Sequence, residues 1–217
     1  MEHTANLRPE LTPDQELAYI RKIMADSRRA FAEDGKPYVV WGLIVSIGMT
    51  VTYISALLDR DLYSGYVWIG LVLLGYANIF FYVRKKKREE PRVKSVLDRI
   101  QAAIWGAVGG SIGLVILLIF LGSMIDTGVS SISGLFICFI TAILTGIGFF
   151  LSGIALDLKW LRNVGFAWWA GSIVMYLWPS VHILGLYALM MLLFQVVPGI
   201  ALNHKYRADL SHAALEA

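Results

Sequence analysis

The chain has 217 residues, of which 57% are hydrophobic and only 16% charged, and its net charge is +3. Soluble domains hold ~45–50% apolar residues even with glycine counted, and ~25% charged ones, so this composition excludes an ordinary soluble domain. The small positive excess flanks the apolar runs; it matches attraction to an anionic inner leaflet and gives no sign of a nucleic-acid partner.

Residues 1–37 are polar and highly charged, without the apolar stretch of a cleavable signal peptide, so the first span is expected to act as an uncleaved insertion signal. Within them, LTPDQELAYIRKIMADSRRAF predicts an amphipathic helix over residues 13–33. Thr12 suits the N-cap, Pro13 the first helical position, and Gln15 can close a capping box. Leu17, Ile20, Met24 and Phe31 line one face, and Arg21, Lys22, Arg28 and Arg29 cover much of the rest. Such a helix before a first span lies on the inner membrane surface or docks a cytoplasmic protein.

Six apolar runs follow: Tyr38–Leu58, Tyr66–Val83, Ala102–Ile125, Gly134–Leu156, Val164–Trp178 and Val181–Leu202. A helix needs ~20 apolar residues to cross a bilayer. The fifth run is short and closed by WPS, so it is either tilted or continued from a helical start at Lys159. Of 19 Lys and Arg residues, only Arg60 falls on the opposite side from the rest, which predicts cytoplasmic termini and a cytoplasmic tail over residues 203–217. Between the second and third runs, Lys85, Lys86 and Lys87 begin a basic loop that serves as a topology anchor and as a candidate contact for lipid or a partner.

Trp41, Trp105 and Trp169 are spaced 64 residues apart, and each enters a run just after a charged segment. GIALDLKW and GIALNHKY share five identities in eight positions. The expected fold is therefore all-α: a polytopic membrane protein of six transmembrane helices, built as three tandem two-helix hairpins of one orientation.

Small and polar residues recur at spacings of three and four within the runs. Ser46, Thr50, Asn78, Thr141, Thr145 and Gln195 form the candidate polar stripe of the bundle interior. Helices in lipid associate at small residues and through interhelical hydrogen bonds, so the first reading of these faces is packing.

Catalytic machinery is not expected. No Asp, Glu, Lys or Arg lies inside a proposed span, which argues against a proton-driven transporter. His182 stands alone near a span, short of the two axial ligands a membrane haem takes, so no cofactor or metal is expected. A rhomboid-type protease is excluded because Phe150 replaces the first glycine of Gly-x-Ser-Gly. Ser152 and His182 also fall at opposite ends of their spans, whereas nucleophile and base must sit ~3 Å apart.

The run YIRKIMADSRRAFAEDGKPYVVWG, Tyr19 to Gly42, resembles the start of uncharacterised bacterial six-helix inner-membrane proteins. Those begin with a charged amphipathic helix, a Phe, a glycine-containing turn and an aromatic-rich Trp-Gly approach to the first span. The resemblance implies the bacterial inner membrane and brings no activity or residue role. The expected function is a non-catalytic structural or regulatory one, as a membrane subunit or partner-binding protein. The alternative is a passive channel or carrier for a small neutral or lipophilic solute.

Overall fold

Pro37 sets the start of the first long helix: a proline costs nothing there, because the first N–H groups of a helix have no intrahelical acceptor. In the computed structural model this helix, α1, runs Lys36–Leu57. It is followed by α2, Ser64–Glu89, α3, Val96–Met124, α4, Ser133–Ala155, and α5, Lys159–Leu177. The last helix, α6, runs His182–His204. The structure describes Thr12, Gln15, Leu17 and residues 35–59, 64–89, 96–124 and 133–204. Among them there is no strand. Most of the predicted amphipathic helix, with Arg21, Lys22, Arg28 and Arg29, lies outside the described residues, as does the chain after His204. The Gln15 carboxamide accepts the Thr12 backbone N–H at 3.0 Å, the side-chain half of the expected capping box.

Among the described residues, four helices are long and apolar enough to cross a membrane: Lys36–Leu57, Arg99–Gly122, Phe136–Ala155 and His182–His204. The apolar part of α2, Tyr66–Asn78, is shorter. A chain with four such helices is consistent with an integral membrane protein.

The helices make a core of four and two flanks. α4, α5 and α6 pack on one another and α1 packs on α6, while α2 leans on α1, and α3 on α4. Residues buried in α4 recur at three and four, Cys138, Thr141, Ala142, Thr145, Phe149 and Ser152, so one broad face is turned to the core. Cys138 is 2% exposed. A membrane-permeant maleimide is therefore expected to leave it unlabelled in the folded protein and to label it fully once the chain is unfolded, by mass spectrometry.

The α4–α5 hairpin shows how local sequence sets packing. α4 ends in a Schellman motif, with Leu158 N–H donating to Gly153 O at 2.9 Å and Asp157 N–H to Ile154 O at 3.1 Å. Asp157 supplies the left-handed residue at φ 55°, a conformation Asp adopts more readily than most side chains. The chain reverses at once, and glycines line the seam. A methyl group on Gly165 would stand 2.8 Å from both Gly146 O and Phe150 N, and one on Gly153 would strike the Arg162 backbone. No interhelical contact is more extensive than this one.

That seam joins the second and third of the expected hairpins to each other. Each of the three regularly spaced tryptophans does sit over a glycine of another helix. Trp41 covers Gly75 of α2, Trp105 covers Gly148 of α4, and Trp169 covers Gly146 of α4. The first two reach the following helix and the third reaches the preceding one, within the α4–α5 seam itself.

Candidate functional site

The six candidate stripe residues separate into two groups. Ser46, Thr141, Thr145 and Gln195 are buried. Thr50 and Asn78 lie on exposed faces of α1 and α2. Spacing alone cannot place them: Thr50 follows Ser46 by four residues, yet α6 covers only the Ser46 side of α1.

The buried hydroxyls are largely committed to main-chain carbonyls. Thr141 Oγ1 donates to Ile137 O at 2.7 Å and Thr145 Oγ1 to Thr141 O at 2.7 Å, both one turn back in their own helix. Thr50 does the same to Ser46 O at 2.8 Å. Two of the six reach another helix: Ser46 Oγ donates to Ala188 O at 3.1 Å, and the Thr141 side chain shares a hydrogen bond with the Tyr187 side chain of α6. A hydroxyl bonded to its own helix satisfies itself in an apolar medium and adds little to recognition.

Gln195 occupies a different setting. Residues Leu192–Val196 form a π-helical turn in which Val197 N–H bonds Leu192 O, five residues back. Pro198 accounts for this turn, having no N–H for Phe194 O and a ring that crowds that carbonyl. The widened turn releases Phe194 O, and Trp168 Nε1 donates to it from α5 at 3.2 Å. Trp168 is fully buried. Proline is tolerated inside membrane helices where a neighbouring helix supplies such a replacement donor. Gly42 makes room opposite: a methyl group there would stand 2.7 Å from Val196 Cγ2 and 3.3 Å from Gln195 Cγ.

Further polar contacts join helices, among them Trp169 Nε1 donating from α5 to Ile143 O of α4 at 3.2 Å. Trp105 Nε1 donates to Ser152 Oγ at 3.2 Å, and Ser152 Oγ donates to Gln101 Oε1 at 2.8 Å, which ties α3 to α4. Trp68 Nε1 donates to Thr52 Oγ1 at 3.0 Å, tying α2 to α1. Tyr53 Oη and His182 Nδ1 lie 2.8 Å apart at the other end of the bundle, between α1 and α6. Ser152 and His182 thus belong to separate networks. Sequence reasoning missed Gln101, Thr52 and Trp68 as interhelical partners. The available signal was a tryptophan or amide within one turn of a span's end, where an indole N–H in an apolar setting needs an acceptor.

On the basic side, Lys85, Lys86 and Lys87 fall in the last turns of the α2 backbone, and the Arg84 guanidinium lies 4.3 Å over the Phe80 ring. Among the described residues, no group of three or more His, Cys, Asp or Glu side chains could hold a metal ion.

No protein-family model, curated protein sequence or solved structure matches this chain.

Proposed function

We propose that this chain is a non-catalytic integral protein of the bacterial inner membrane, a structural or regulatory subunit that receives a partner's helix on α3. The observation that carries the reading is the outlying exposure of α3. Of its apolar stretch 6% is buried, against 28% in α1 and 50% in each of α4 and α6. Its inner residues Gln101, Trp105 and Val108 meet α4, while Gly106, Gly109, Gly110 and Gly113 are exposed, and a methyl group added to any of them would have nothing within 4 Å. Elsewhere in the bundle nearly every described glycine admits a neighbouring helix or ring. Glycine costs ~0.5–1 kcal/mol relative to alanine inside a helix, and in lipid its return is the close approach of a second helix.

The fuller topology belongs to the same proposal: six spans in three tandem hairpins, both termini cytoplasmic. The tryptophan spacing and the one-sided distribution of Lys and Arg support it. The anionic inner leaflet is the lipid partner, with Arg21, Lys22, Arg28, Arg29, Lys85, Lys86 and Lys87 as its contacts.

Purification from native membranes in mild detergent tests the subunit reading. The wild-type chain is expected to carry a stoichiometric membrane partner, and Gly106→Leu with Gly110→Leu to release it while leaving the melting temperature within a few degrees. A partner retained by that double variant, or a wild-type chain that purifies alone, overturns the reading. Flux of a small neutral solute into proteoliposomes holding the chain alone would support the passive channel or carrier instead.

A further inference from the structure

Gln101 carries a hydrogen-bonding requirement that no described residue meets. The residue is 3% exposed, and its Oε1 accepts from Ser152 Oγ at 2.8 Å. Its Nε2 has no partner among the described residues. Ser152, itself fully buried, already accepts the Trp105 indole N–H at 3.2 Å. Aromatic rings wall the place: Trp105 meets Tyr38 edge-on at 5.0 Å and Phe149 edge-on at 5.3 Å between centroids.

A buried donor without an acceptor costs about 1–3 kcal/mol, more than a neutral packing position would sustain without a compensating bond. Exchanging the carboxamide oxygen and nitrogen does not remove the deficit. Nε2 would then serve Ser152, and Oε1 would become the group without a partner. A ligand for this place must therefore accept from one orientation or donate to the other, and it must be small enough to sit among three rings.

We infer that an ordered water molecule occupies the joint between α3 and α4 at the Gln101–Ser152 pair. It accepts from Gln101 Nε2 and donates to the second lone pair of Ser152 Oγ. Water both donates and accepts, so it suits either carboxamide orientation, and buried waters characteristically bridge polar groups that would otherwise be unsatisfied. Its role is mechanical: it completes the polar pin that fixes the Val96 end of α3 on α4. The inference does not depend on α3 having a partner.

The test is NMR of the whole chain in lipid nanodiscs with glutamine side chains labelled with nitrogen-15. The Gln101 amide protons are expected to show cross-relaxation with a long-lived water, and Gln101→Met to abolish that pair of signals and no other water contact. Gln101 amide protons that are visible but show no water contact overturn the inference. So does a high-resolution map in which a carbonyl of the chain itself meets Nε2.

Discussion

Gly165→Ala is expected to destabilise this protein by about 3 kcal/mol, the upper end of the usual overpacking range, because the methyl group has nowhere to go. The added carbon would stand 2.8 Å from Gly146 O, 2.8 Å from Phe150 N and 2.9 Å from Phe150 Cβ. Two of these are backbone atoms of a helix, so relief requires the α4 and α5 axes to separate along the whole seam. Leu161, Phe149 and Trp168, all fully buried beside it, would lose their contacts as the helices part. Gly110→Ala is the control. It adds the same methyl group to a position with nothing within 4 Å and is expected to leave the purified chain as stable as the wild type or slightly more so. Titration with a denaturing detergent, followed by near-ultraviolet circular dichroism, reads both. Gly165→Ala should unfold well before the wild type, and equal midpoints for the two variants would mean that α4 and α5 are not in close contact. Gly146→Ala combined with Gly165→Ala should cost less than the two separately, since either one alone opens the shared seam.

What the sequence made legible follows from which physical signals are local. Apolar run length and clustered charge mark long helices directly, and the α1, α4 and α6 runs were found within a few residues of their observed ends. The capping box at Thr12 is equally local, since its two partners are three residues apart. Side-chain facing is not local. Ser46 and Thr50 have the same spacing and chemistry, and only the position of α6 decides that the first is buried and the second exposed. The tryptophan period announced a repeated contact, yet the partner of each ring depends on which helices meet. Gly146, Gly153 and Gly165 looked like any other glycines in apolar sequence; they form a seam because Asp157 turns the chain at once and sets α5 antiparallel against α4. Gln101 was hidden for a related reason. A lone amide beside a charged loop reads as surface until α4 brings Ser152 over it.

Pro198 is the instance where a legible residue had an unread consequence, and it supports the second large prediction. Trp168→Ala is expected to cost about 3–5 kcal/mol, the range for removing a large buried aromatic, since Trp168 is fully buried against Tyr187 and Phe194. Trp168→Phe separates the hydrogen bond from most of the packing. It keeps an aromatic ring and removes the Nε1–H that serves Phe194 O at 3.2 Å, and it is expected to cost about 1–2 kcal/mol, within the range for a polar group left without its partner. That carbonyl depends on Trp168 only because residue 198 has no N–H. Pro198→Ala restores a donor four residues on, so the π-helical turn over Leu192–Val196 can relax to regular α-helix and Phe194 O can bond within its own helix. Trp168→Phe should therefore cost less in the Pro198→Ala background than in the wild type, by about 0.5–1.5 kcal/mol, the scale measured for interhelical hydrogen bonds in membranes. A double-mutant cycle in the same detergent titration reads the coupling directly. Strict additivity would separate the indole bond from the proline, and the π turn would then need a cause other than the missing N–H.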